Sequence, residues 1–68
     1  MNFSTAFIYL KRGHKMKLPE WGGYWYWDKE KKTIIIHTRK GEELDIRETD
    51  DVDYTMSFIC RNDWQFAE

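Results

Sequence analysis

A chain of 68 residues, 41% apolar and 34% charged, has room for one domain, residues 1–68, with a core of limited size. No apolar run approaches the roughly 20 residues of a membrane helix, and Met1-Asn2-Phe3-Ser4-Thr5 lacks the basic and apolar regions of a secretory signal, so the expectation is a cytoplasmic protein with no membrane partner. One cysteine and two histidines exclude a disulfide framework and disfavour a structural zinc site, while a net charge of -1 disfavours binding to a nucleic-acid polymer.

Residues 3–12 read as a helix, because Phe3, Ala6, Phe7 and Leu10 recur at three- and four-residue spacing. Asn2 or Ser4 can cap its start, and Gly13 is a natural stop. Ile8 lies off this stripe, as an ordinary exposed residue or as part of a subunit contact. His14-Lys15-Met16-Lys17-Leu18 alternates as a short strand, ended by Pro19, which has no amide to give a ladder. A loop over 19–23 leads into Tyr24-Trp25-Tyr26-Trp27, a dense β-forming run. A charged turn over 28–32 precedes Thr33-Ile34-Ile35-Ile36-His37-Thr38, the clearest strand. Arg39-Lys40-Gly41-Glu42 is a hairpin turn, with glycine where a positive φ is needed, and 43–46 alternates again.

Residues 47–54 are acidic and read as irregular. Thr55 is placed as the cap of a short helix with Met56, Ile59 and Cys60 on one face, Cys60 as a packed, inert thiol. Residues 63–66 form the last strand, with Trp64 and Phe66 on one side. The fold class that follows is α+β: an N-terminal helix on a small antiparallel meander sheet, with a short helical turn before the last strand.

A chain this short buries too little to be comfortably stable alone, so a homo-oligomer is expected. Charge is unevenly distributed. Residues 1–40 hold nine Lys and Arg against three acids, and residues 41–68 hold two against nine. These are two solvated faces, or halves that pair between subunits.

Alternation puts Tyr24 and Tyr26 on one sheet face and Trp25 and Trp27 on the other, and a helix covers only one face. Trp21 stands apart, in a loop between Pro19 and two glycines. Gly22 and Gly23 permit positive φ and a close backbone approach to a bound group. Trp21 either stacks a purine while the glycine amides meet phosphate oxygens, or folds back over the core edge. Arg47, the one base inside the acidic run, is an ion-pair partner of its neighbours or a fork aimed at an anionic ligand. The run of Asp45, Glu48, Asp50, Asp51 and Asp53 lacks the glycine and terminal glutamate of a calcium loop, so no metal is expected. His14 and His37 stand beside no nucleophile, and no catalytic constellation is present, so an enzyme is not expected and no cofactor is implied.

The residues Met1-Asn2-Phe3, Ala6, Leu10-Lys11-Arg12-Gly13, Trp21-Gly22 and the closing Asp63-Trp64 resemble a family of small phage and prophage proteins, the Thoeris anti-defence sponges of the second type. The resemblance runs from end to end on short motifs. It implies a small homotetramer, or a dimer, in the host cytoplasm. Such a protein binds and sequesters a cyclic nucleotide immune signal, a cyclised ADP-ribose or a cyclic oligonucleotide, without degrading it. It implies that Trp21 stacks the base; in the reading that follows, Tyr24 or Trp25 adds to the stacking, and Gly22, Gly23, Arg47 and Thr55 make polar contacts. Thr55-Met56-Ser57 would offer hydroxyls and amides at a helix start, a polarity that suits phosphate. In this chain a tight turn at 28–32 stands where many relatives have an insertion. The second expectation is an inhibitor of a defence effector or nuclease, in which the acidic stretch 45–53 imitates nucleic-acid phosphates.

Overall fold

The computed structural model describes residues 1–67. Helix α1 spans Phe3–Lys11, and strands β1 to β5 span Met16–Lys17, Tyr24–Asp28, Thr33–His37, Glu43–Asp45 and Gln65–Phe66. A 3-10 turn at Ile46–Glu48 and helix α2 at Val52–Ile59 lie between β4 and β5. The sheet is fully antiparallel in the order β4-β3-β2-β1-β5. The first four strands form a meander, and the segment carrying α2 returns the chain to the opposite edge. The fold is α+β.

Each boundary has a local cause. Asn2 caps α1 through its side chain, which accepts from the Thr5 amide at 2.9 Å. At the other end Gly13, at φ 102°, lets the Gly13 and His14 amides reach the carbonyls of Leu10 and Tyr9. This is the paired closure that a left-handed glycine permits. Asp28 accepts from the amides of Glu30 and Lys31 and so folds the turn into β3. The next turn closes when the Gly41 amide donates to Thr38, with Gly41 at φ 87°.

The sheet face under α1 carries Met16, Trp25, Trp27, Ile34 and Ile36. Ala6 and Leu10 are fully buried against it, Phe3 meets the edges of Trp25 and Trp64, and Phe7 meets Trp27. Ile8 points outward at 50% exposure. The opposite face is not covered by a helix. Its side chains cover one another instead. Tyr24 stacks on His37 at 4.6 Å between centroids, and the Tyr26 hydroxyl donates to Glu43. Ile35, between Tyr26 and Asp45 in the ladder, is buried.

Several expectations shift. The first strand keeps only Met16–Lys17 of residues 14–18, and the last keeps only Gln65–Phe66 of 63–66. Trp64 is buried, whereas Phe66 remains substantially exposed beside Tyr9 and His14. Helix α2 starts three residues before Thr55, because Asp51 supplies the cap by accepting from the Tyr54 amide at 2.9 Å. That start turns Phe58 and Ile59 onto the core, not Met56 and Cys60. Met56 and Cys60 are exposed.

Candidate functional site

At the end of the sheet where β2 begins and β3 ends, an open pocket of about 640 Å³ lies between the sheet and α2. Trp25, Ile36 and Leu44 belong to its sheet side. The pairing of Trp25 with Ile36 and of Ile36 with Leu44 puts all three on one face. Asp51, Tyr54, Thr55 and Phe58 form the facing wall, one stripe of α2 at three- and four-residue spacing.

Trp21 closes one end of the pocket. The turn that precedes it is held by the Trp21 amide, which donates to the Leu18 carbonyl across Pro19. Its ring is half-buried, tilted against Trp25 and edge-on to Phe58 and Trp64. It folds back over the core edge, and from there it lines the cavity. Trp25 is only 2% exposed, so it serves chiefly as the support behind Trp21. Tyr24 lines the pocket where β2 begins, and its ring is stacked on His37.

Gly22 and Gly23 line the pocket without positive φ. What they allow is a close approach within the protein. A β-carbon on Gly23 would lie 2.1 Å from the His37 carbonyl oxygen, and one on Gly22 would lie 2.8 Å from the β-carbon of Arg39. Trp21 and the β3–β4 turn are thereby held side by side.

Arg47 does not line this pocket. Its Nε and Nη2 grip the Asp45 carboxylate, with the shortest contact at 2.7 Å, and Asp45 also accepts from the Thr33 hydroxyl and the Arg47 amide. The Arg47 guanidinium is the main cause that holds the Asp45 carboxyl below its usual range. Arg61 is committed in the same way, bridging Asp63 and Glu20 and lowering the pKa of both carboxyls.

Thr55 lines the wall in the fourth position of α2, and its hydroxyl donates to the Asp51 carbonyl at 3.1 Å. The helix start is already occupied by the Asp51 carboxylate. Arg39 is the only Lys or Arg among the described residues lining the pocket, against Glu20, Glu48, Asp50 and Asp51. Among the described residues, Arg39 forms no hydrogen bond or ion pair. Local sequence pattern places Arg39 only in a turn and gives Tyr54 and Phe58 no role in a site. The spacing Asp51-x-x-Tyr54-Thr55-x-x-Phe58, behind a capping aspartate, is the signal that identifies that stripe.

No helix among the described residues is long and apolar enough to cross a membrane, and no group of three or more His, Cys, Asp or Glu there could hold a metal ion. Comparison of the chain with protein-family models, curated proteins and solved structures found no match.

Proposed function

We propose that this protein captures a cyclic nucleotide immune signal and withholds it from its receptor without chemical turnover, as a phage-type anti-defence sponge acting in the host cytoplasm. The observation that supports this reading is the pocket itself. Its volume of about 640 Å³ falls in the range of small-molecule sites, roughly 300–1,000 Å³. Trp21, Tyr54 and Phe58 give it the aromatic lining that a nucleobase needs.

The pocket is open toward solvent, and Val52, Tyr54 and Met56 expose apolar surface on α2. A second copy of the chain against α2 would cover that surface and enclose the ligand, which gives the self-association a role in binding. Calorimetry with cyclic ADP-ribose isomers and cyclic oligonucleotides tests the reading, with sedimentation reporting assembly. Binding at micromolar concentration or tighter, with the ligand recovered intact, is the expected result. Absence of heat across the whole panel rejects it.

One observation favours a second reading. Glu48, Asp50, Asp51 and Asp53 are all exposed along the stretch that enters α2. That acidic edge suits a basic groove on a defence effector or nuclease. Charge reversal at Asp50, Asp51 and Asp53 that abolishes capture of such an effector, with no small-molecule ligand found, would favour this reading over the first.

A further inference from the structure

We infer that the anionic end of the captured molecule is held by Arg39, and that the pocket selects nucleotides whose phosphates lie together on one side. This rests on the nucleotide reading above and adds an orientation and a ligand class to it.

Elimination leaves one cation for the task. The start of α2 would ordinarily attract phosphate, but the Asp51 side chain already accepts from the Tyr54 amide there, and its negative charge repels a second anion. Arg47 is bound to Asp45, and Arg61 to Asp63 and Glu20. Arg12 lies over the Tyr9 ring, away from the pocket. Arg39 lines the pocket, is exposed to solvent, and keeps its guanidinium fork uncommitted among the described residues. Such a fork takes two phosphate oxygens at once.

The base of its side chain is also set beside the loop that carries Trp21. The Arg39 stem crosses Gly22 so closely that a β-carbon there would lie 2.8 Å from the Arg39 β-carbon. Gly22 directly follows Trp21, so the Arg39 stem packs against the residue beside the indole, and both side chains line the same pocket. A base against Trp21 would carry its phosphate to Arg39.

The rest of the pocket has the opposite charge. Glu48, Asp50 and Asp51 lie toward α2. Carboxylates accept hydrogen bonds from sugar hydroxyls but oppose a second, separated phosphate. A pyrophosphate-bridged ring such as cyclic ADP-ribose keeps its charge at one end and its riboses at the other. A cyclic dinucleotide places phosphates on opposite sides, and one of them must then face the carboxylates.

The test is titration of the full chain with cyclic ADP-ribose, cyclic di-AMP and adenosine, followed by tryptophan fluorescence and calorimetry. Arg39→Gln, checked by its melting curve, should weaken cyclic ADP-ribose about ten- to a hundredfold, as loss of a charged hydrogen-bond pair does, and leave adenosine unchanged. Asp50→Asn should tighten cyclic di-AMP more than cyclic ADP-ribose. If cyclic ADP-ribose binds and Arg39→Gln binds it equally well, or if cyclic di-AMP is the tighter ligand of the parent protein, the inference is overturned and the nucleotide reading survives. If none of the three probes binds, the inference is overturned, and the wider panel of cyclic ADP-ribose isomers and cyclic oligonucleotides decides the nucleotide reading.

Discussion

Gly23 faces the His37 carbonyl so closely that a methyl group on its α-carbon would lie 2.1 Å from that oxygen. The obstacle is backbone, which cannot rotate aside as a side chain can. Gly23→Ala must therefore push the start of β2 away from the end of β3, where the pocket lies. The expected loss is about 1–3 kcal/mol, read as a fall in melting temperature of roughly 4–8 °C per kcal/mol. Gly41→Ala has open space around it and only the strain of φ 87° to bear, so it should cost less, on the order of 1 kcal/mol. Equal melting curves for Gly23→Ala and the parent would refute the close approach.

Trp64 is 2% exposed, and its Nε1–H donates to the Phe58 carbonyl at 3.0 Å. It ties the end of α2 to the core. In Trp64→Phe the Phe58 carbonyl keeps the Arg61 amide as a donor, so the loss is mainly packing, about 1–3 kcal/mol by chemical denaturation. Amide exchange in α2 should accelerate more than exchange in β2 and β3.

Tyr54 provides the cleanest probe of ligand contact. It is 62% exposed and meets Phe58 edge-on at 4.7 Å. Tyr54→Ala should change stability by no more than about 0.5 kcal/mol. It should weaken nucleotide binding by about 1–3 kcal/mol, the usual worth of an aromatic ring against a base. Trp21→Ala is less informative, because the same ring supports Trp25, Phe58 and Trp64. An unchanged affinity in Tyr54→Ala would place the base elsewhere.

Acid should weaken the fold through Asp45. Its carboxyl titrates below its ordinary value of 3.8 because Arg47 and Thr33 bond the charged form. A carboxyl lowered in the folded state takes up protons more readily in the unfolded chain. Its contribution is complete above about pH 4 and is lost as pH falls through the folded value. Glu20 and Asp63, held low by Arg61, act in the same direction. Asp45→Asn should be less stable at pH 7 and show a shallower loss on acidification, as measured by urea unfolding between pH 2 and 7. A slope equal to that of the parent would show that Asp45 is not a source of it.

The parts of the fold that were legible in the sequence are those where one residue decides a local geometry. Asn2 and Gly13 bracket α1, Gly41 takes the positive φ, and the three isoleucines of β3 lie within the sheet. The start of α2 was not legible, because Asp50, Asp51 and Asp53 are all competent caps and only the packing of Phe58 selects among the registers. Trp21 was identifiable as a loop ring standing apart from the strands, because it lies between Pro19 and two glycines; that it packs on the core edge and lines the pocket needed the tertiary structure. Arg39 was not, because its importance depends on which other arginines are already paired. Arg47 and Arg61 find their carboxylates two residues away, at Asp45 and Asp63, while the Arg39 guanidinium remains unpaired among the described residues. The role of Gly22 and Gly23 depends on a neighbour 14 or more positions distant, which no local pattern reveals.

None of the residues of α2 is fully buried, yet this helix forms one whole side of the cavity and is part of the strap that carries the chain from one margin of the sheet to the other. A lightly anchored element is thus the one that a captive molecule would press against. Occupancy would be felt first as a stiffening of that strap. Slowed amide exchange from Val52 to Ile59, with little change in β2 and β3, would be the signature of a guest being fastened in place.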